Sequence, residues 1–222
     1  MFYNKICVRG IKMKVIAING SPRKNFNTAE LIKSVGKGVS SQGAEVETIN
    51  LYDIDKYTGC ISCFGCKLGN NKGHCICKDG LTETLEKIRN ADGLILGSPN
   101  YLGETSAQFR AFYERLIFQY ITYKKEYSSY NDKKIPVVFI MTSNAPKLYV
   151  SGLVKNYQNT LSNFIGPTKT LIAGDTKQVK DYSIYDWTMF DTIGKDKRHE
   201  IEFPKQLEEA YKIGQEMFES YN

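Results

Sequence analysis

Five of the six cysteines in this 222-residue chain fall in one short segment: Cys60, Cys63, Cys66, Cys75 and Cys77. The first three stand at C-x2-C-x2-C spacing, Cys60-Ile-Ser-Cys63-Phe-Gly-Cys66. Three thiolates on one tight coil can occupy three corners of a 4Fe–4S cluster, with a fourth ligand from elsewhere in the chain. That fourth is Cys75 or Cys77. Two other chemistries use the same residue types. A metal-free loop of low-pKa thiols would be redox-active. Structural zinc is the third option, although zinc usually takes two separated ligand pairs. Lys56, Lys67, Lys72 and Lys78 would offset part of a cluster's negative charge. His74, next to Gly73 in a polar stretch, is expected to be solvated, and His199 in a charged run is expected on the surface. A secreted disulfide framework would spread its cysteines along a smaller chain, so this grouping points to a reducing compartment, the cytoplasm.

A second group is Gly20-Ser-Pro-Arg-Lys-Asn-Phe-Asn-Thr28. A phosphate needs donors on several sides. This loop offers successive backbone N–H groups, the hydroxyls of Ser21 and Thr28, the Asn27 amide and the dipole of the helix that follows. Arg23 adds a full charge and a fork of donors. Hydrogen bonds to a charged group contribute about 1.5–3 kcal/mol each, enough in combination to hold a dianion. The loop lacks the Gly-Lys-Ser/Thr ending of an ATP-binding P-loop, and the chain has no G-x-G-x-x-G. ATP and a tightly held NAD are thereby disfavoured. Capping of the turn by Ser21, Asn27 and Thr28, with no ligand, is the plainer alternative.

The elements that must position these groups alternate. Residues 14–18 form an apolar, β-branched run ending at Gly20, the pattern of a buried parallel strand. Leu31, Ile32, Val35 and Val39 recur at helical spacing, with Asn27 and Glu30 as the N-cap signature. Val46–Ile49 is a second strand. The cysteine segment 58–80 follows, and then a helix on Leu81, Leu85 and Ile88. The third strand, 93–97, is expected to stop at Pro99. Phe109, Phe112, Tyr113, Leu116, Ile117 and Tyr120 mark an amphipathic helix, and 135–141 a fourth strand. A helix on Val150–Phe164, a strand at 170–173 and a last helix beginning at Pro204 complete the chain. Five strands alternating with helices imply a parallel sheet covered on both faces.

Two of these segments carry a family resemblance. Gly-Ser-Pro-Arg followed by Asn-Thr resembles the phosphate loop of the NADPH-dependent FMN reductase family of flavodoxin-like proteins. Gly97-Ser-Pro-Asn-Tyr-Leu-Gly103, then Ser106-Ala and Phe112-Tyr-Glu-Arg115, is similar to the family's flavin-contacting turn and the helix after it. The resemblance runs from Met13 almost to the end. It implies a flavodoxin-like three-layer α/β sandwich with a five-stranded parallel sheet in the order 2-1-3-4-5 and a cysteine-rich loop insertion. It implies FMN, with Ser21, Arg23, Asn27 and Thr28 on the phosphate and Pro99, Asn100, Tyr101, Leu102 and Gly103 along the ring. Phe26 departs from the small residue expected in that loop. The cysteine segment resembles the iron–sulfur flavoprotein subgroup. By its offset from Asp79, the subgroup pattern assigns the cluster to Cys60, Cys63, Cys66 and Cys75, although the gap 67–74 is longer than expected.

The expected activity is an FMN oxidoreductase fed by NAD(P)H as transient co-substrate, or by a ferredoxin-like donor, and serving an unnamed acceptor. The flavin carries the chemistry, so no catalytic acid–base pair is required. A non-enzymatic electron carrier and a zinc-stabilised anion-binding or interaction protein are the rival readings. Charge gives no support to nucleic-acid binding. Of the +6 net charge, half resides in residues 1–12, through Lys5, Arg9 and Lys12. Those residues read as a flexible extension bearing the lone Cys7, or as sequence ahead of a start at Met13, and 13–222 as one domain. No apolar run approaches the roughly 20 residues of a membrane span. Tyr113 to Tyr130 admits two readings, a long helix with an exposed tyrosine stripe or a helix ending near Tyr120 and then a loop. Either presents aromatics to a lid or to a homo-oligomer interface, dimer or tetramer. Lys124, Lys125, Lys133 and Lys134 would suit an acidic partner or plain solvent.

Overall fold

In the computed structural model, which describes residues 12–126 and 128–219, each apolar run becomes a strand with alternating inward faces. The elements are β1 (Lys14–Asn19), α1 (Asn27–Ser41), β2 (Glu45–Asn50), α2 (Leu81–Asn90), β3 (Gly93–Tyr101), β4 (Glu104–Thr105), α3 (Ala107–Phe118), β5 (Val137–Thr142), α4 (Lys147–Phe164), β6 (Thr168–Ala173) and α5 (Thr192–Gln215). The sheet order is β2-β1-β3-β5-β6, all parallel, and β4 pairs antiparallel with the end of β3. The five parallel strands therefore take the expected order, and β4 makes the sheet six-stranded.

Side-chain alternation divides the core into two layers. Ile16, Ile18, Leu94, Leu96, Val137 and Phe139 face α2, α3 and α4. Val15, Ala17, Ile95, Val138 and Ile140 face α1 and α5. A period of two on every strand is what a sheet covered on both sides requires. Glycines let α1 and α5 approach closely. A Cβ on Gly38 would overlap the Tyr211 carbonyl oxygen and lie 2.9 Å from the Gln215 nitrogen, and one on Gly214 would overlap the Val35 carbonyl.

Several expectations change. The third strand does not stop at Pro99 but runs to Tyr101. At Pro99, past the Asn19–Gly97 pair and before β4 joins at Asn100, β3 pairs with β5 alone, so the missing proline N–H costs nothing on the open side. Asn27 is not a cap: Phe26 takes that position with no side-chain cap bond, and Asn27 is the first helical residue. The last helix starts at Thr192, capped by Asp191 accepting from the Gly194 N–H, and Pro204 lies inside it. Among the described residues the long helix of the first reading does not form. α3 ends at Phe118, Tyr120 is buried, and Ile121 bridges Ser129. Tyr127 lies outside the described residues, as do Cys7 and the rest of 1–11. His199 is half-buried rather than superficial, stacked on Phe203 at 4.6 Å with its Nδ1 buried and unpartnered. Lys133 and Lys134 are engaged by Asp92 and the Asn163 carbonyl, while Lys124 and Lys125 are exposed. Among the described residues no helix is long and apolar enough to cross a membrane.

Candidate functional site: two linked loops and a cysteine pocket

The switch point between β1 and β3 brings the two candidate loops together at the C-terminal edge of the sheet. The Gly20 N–H donates to the Gly97 carbonyl at 2.8 Å. Ser106, fully buried, completes the tie. Its Oγ donates to the Gly20 carbonyl at 2.6 Å and accepts the Phe109 N–H at 3.3 Å, capping α3. Its own N–H donates to the Ser98 hydroxyl at 3.0 Å. A Cβ on Gly20 would press into Phe109 and the Gly97 carbonyl, so the first loop can lie this close only with glycine there.

In the first loop, the Ser21 N–H donates to Asn19 Oδ1 at 3.0 Å, and the Ser21 hydroxyl accepts the Arg23 N–H at 3.2 Å. Ser21, Asn27 and Thr28 are buried, and Arg23 is exposed with its guanidinium 4.2 Å above the Phe26 ring. Phe26 thus has a packing partner in Arg23, three residues earlier in the same loop. Thr28 Oγ1 pairs with Thr142 Oγ1 at 2.7 Å and anchors the loop to β5. The Asn27 amide donates to the Lys177 carbonyl at 2.7 Å, and Arg23 donates to the Gln178 carbonyl. A strap after β6 therefore satisfies both donors with neutral acceptors. A phosphate dianion forms stronger, charge-assisted bonds with the same groups, so the donor set fits FMN.

In the second loop, Pro99 is buried within β3, while Asn100 ties the turn together. Its Nδ2 donates to Ser143 Oγ at 3.1 Å, and its Oδ1 accepts the Gly103 N–H at 3.1 Å. Leu102 and Gly103 both have left-handed backbones, φ 56° and 84°. Leucine rarely adopts this conformation, and Leu102 is also 104% exposed. The turn thus ends in a strained, exposed apolar tip. Tyr101 is exposed beside it, and the Tyr149 hydroxyl lies 3.7 Å from where a Gly103 Cβ would be. Ser143, Thr142 and Tyr149 belong to this edge and carry no motif. Tyr157, from α4, supports β4: it donates to Glu104 Oε1 at 2.7 Å, and burial pushes its phenol up to about 12.

α3 carries the other end of the site. Cys60, Cys63, Cys66, Cys75 and Cys77 line one pocket with Phe64, Arg115, Phe118 and Gln119. All five thiols are free. Ser62 and Phe64 adopt left-handed backbones, φ 53° and 56°, which bend the coil at each step between cysteines. Phe64 packs on Phe118 and Tyr123, and Lys67 donates to the Phe118 carbonyl. Burial pushes the Cys66 thiol up, and burial with the neighbouring Cys75 pushes Cys77 up to about 11. Cys75 therefore lies near both Cys66 and Cys77. Among the described residues no three His, Cys, Asp or Glu side chains are already placed around a single ion. Five sulfurs facing one pocket are nonetheless the soft donor set that an iron–sulfur cluster requires.

Arg115 was visible in the sequence only as part of a resemblance, and its role was not. It is 2% exposed. Its guanidinium meets Asp79 at 2.6 and 3.2 Å, Cys75 Sγ at 3.1 Å, the Thr58 carbonyl at 3.3 Å and the Cys77 carbonyl at 3.2 Å. Gln119, one turn on and equally buried, accepts the Cys75 N–H at 3.1 Å. An arginine among the apolar positions of a core helix is the signal that could have found it. His74 is exposed, as expected, and so are Lys56, Lys72 and Lys78.

Comparison with known proteins places this geometry. A family model described as NADPH-dependent FMN reductase matches residues 13–162. An iron–sulfur flavoprotein of Methanocaldococcus jannaschii is 40% identical over 103 residues, 46% of this chain and 51% of that protein. One from Methanosarcina thermophila is 31% identical over 105 residues, 47% of this chain and 53% of that protein. The chain thus matches about half the length of these relatives. Among solved structures, an azoreductase from Bacillus anthracis superposes with a TM-score of 0.64 at 15% identity, covering 91% of this chain and 99% of that one. An NAD(P)H:quinone oxidoreductase from Methanothermobacter marburgensis gives 0.61 at 15% identity, covering 93% and 97%. At such identities these two share the fold.

Proposed function

Because the chain belongs to the NADPH-dependent FMN reductase family, we propose that it is an FMN-dependent oxidoreductase of the iron–sulfur flavoprotein type. It takes electrons from NAD(P)H, or from a reduced ferredoxin-like carrier, and delivers them to an acceptor. The observation that carries this reading is the single helix joining two sites. α3 is capped by Ser106, which locks the two proposed flavin loops to each other, and reaches the cysteine pocket at Arg115. Nine residues at 1.5 Å each separate those side chains by about 14 Å along the axis.

The roles follow from the geometry. Ser21, Arg23 and Asn27 would hold the phosphate, and Thr28 fixes their loop to the sheet. Asn100, Tyr101, Leu102 and Gly103 would orient the ring, with backbone N–H groups near its polar edge. Bound FMN supplies hydride acceptance and single-electron release. Cys60, Cys63, Cys66 and Cys75 would hold a 4Fe–4S cluster, which supplies one-electron transfer. Tyr101 positions rather than transfers a proton. Five free thiols in one pocket favour a cytoplasmic setting, where they stay reduced. The exposed apolar groups Ile184, Tyr185, Trp187 and Met189 favour a homo-oligomer.

The test is an absorbance spectrum of anaerobically purified, reconstituted protein, followed by titration with NADPH, NADH and reduced ferredoxin. Flavin bands over a broad brown shoulder, bleached by a nicotinamide, are the expected outcome. Bleaching by ferredoxin alone overturns the NAD(P)H donor and leaves the ferredoxin-like one, the electron-carrier reading. A colourless protein with one zinc refutes the proposal.

A further inference from the structure

Arg115 is fully used. Its five N–H donors meet five acceptors: Nε–H on Cys75 Sγ, one Nη1 and one Nη2 donor on Asp79, and the others on the carbonyls of Thr58 and Cys77. These partners lie on both sides of the cysteine segment, Thr58 before Cys60 and Cys77–Asp79 after Cys75. Asp79 also accepts the Leu81 N–H at 3.1 Å, which fixes the clamp to the start of α2. Asp79 balances the guanidinium charge in a planar two-bond pair, so the remaining donors are directional rather than a diffuse field.

The two candidate fourth ligands are treated differently. Cys75 is held from α3 at two atoms, its sulfur by Arg115 and its amide by Gln119. Cys77 is held by Arg115 through its carbonyl only. We infer that Arg115 is a positioning residue that selects Cys75 over Cys77 as the fourth cluster ligand and, by donating to its sulfur, raises the reduction potential of that centre. Hydrogen bonds to ligating sulfurs stabilise the more negative, reduced form. Cys77 is left as a spare thiol beside the cluster. This inference rests on the cluster reading above.

The experiment reconstitutes the full chain anaerobically and measures iron, acid-labile sulfide, midpoint potential and the rate of iron loss to a chelator. Cys77→Ser should keep the wild-type iron content, and Cys75→Ser should lose iron. Arg115→Lys keeps a charge but cannot donate to sulfur, carboxylate and both carbonyls together. It should lower the one-electron equilibrium at least tenfold, which is 59 mV, and speed iron loss at least tenfold. In chelator-stripped protein it should also raise protease cleavage between residues 58 and 79. If Arg115→Lys does not fold, Arg115→Gln with Asp79→Asn removes the buried guanidinium and its half-buried partner charge together and carries the same measurements. A purely structural role would lower the melting temperature and leave the potential of the loaded fraction unchanged, and that result overturns the inference. So does iron loss in Cys77→Ser but not in Cys75→Ser. Wild-type protein that binds no iron refutes the cluster reading itself, and this inference with it. Iron-loaded wild type with an unmoved potential in Arg115→Lys refutes the inference alone.

Discussion

Replacing Ser106 by alanine removes the one oxygen that ties the first turn of α3 to the Gly20 loop. Its Oγ caps α3 through the Phe109 N–H and donates to the Gly20 carbonyl at 2.6 Å, in a site with no solvent access. Loss of a serine cap costs about 1 kcal/mol. A buried carbonyl left without its donor costs about 1–3 kcal/mol more. Ser106→Ala should therefore destabilise the apoprotein by roughly 3 kcal/mol, a large share of the 5–15 kcal/mol typical of a domain. With a urea m-value of about 2–3 kcal/mol/M, the midpoint falls by about 1 M and the slope stays constant. Gly20 opens the loop proposed to hold the phosphate, so the FMN dissociation constant should also rise, by about tenfold, or 1.4 kcal/mol. Circular dichroism in urea and quenching of FMN fluorescence measure the two effects. A loss of stability below about 0.5 kcal/mol with unchanged FMN affinity would falsify the claim that Ser106 couples the loops.

Arg23→Gln should weaken FMN by about 10- to 100-fold, since a charged hydrogen bond of about 1.5–3 kcal/mol is lost; riboflavin, lacking the phosphate, should bind both forms alike in the same titration. Gly38→Ala forces a methyl into the Tyr211 carbonyl of the facing helix, and the separation of α1 and α5 should cost about 1–3 kcal/mol in urea unfolding. Burial, then the charge of Lys177, lowers the His199 pKa below the ordinary 6.5. The unfolded chain then binds more protons, so stability is full above pH 6.5 and declines as pH falls below it. His199→Gln should flatten that decline, and parallel pH–stability curves for the two proteins would count against the assignment.

The alternation of apolar runs with 3.6-residue stripes was enough for the doubly covered sheet, because strands buried on both faces leave a continuous β-branched signature. Both candidate loops stood out in the sequence for the same local reason: their donors and turn residues lie within nine positions of sequence. The failures have physical causes. Pro99 reads as a stop, yet the sheet leaves its nitrogen side unpaired. Pro204 reads as a start, yet Asp191 caps the helix twelve residues earlier in the chain than that proline predicts, with Thr192 as its first residue. The tyrosines from 113 to 130 keep helical spacing, but Tyr120 is needed in the core and the chain turns there to pair Ile121 with Ser129.

Residue types and short spacings alone determined the candidate groups: a donor-rich loop with one arginine, a proline–glycine turn and five clustered thiols. Those are properties of contiguous segments, and local chain geometry is written locally. Only the tertiary structure decided how the parts are joined. Ser106 meets Gly20 across 86 positions, and Arg115 reaches Thr58 across 57 and Cys75 across 40. A buried hydrogen bond between distant residues has no periodicity and no spacing rule. Its existence depends on which helix face the sheet leaves for the loops to cover, and that is fixed only when the layers pack.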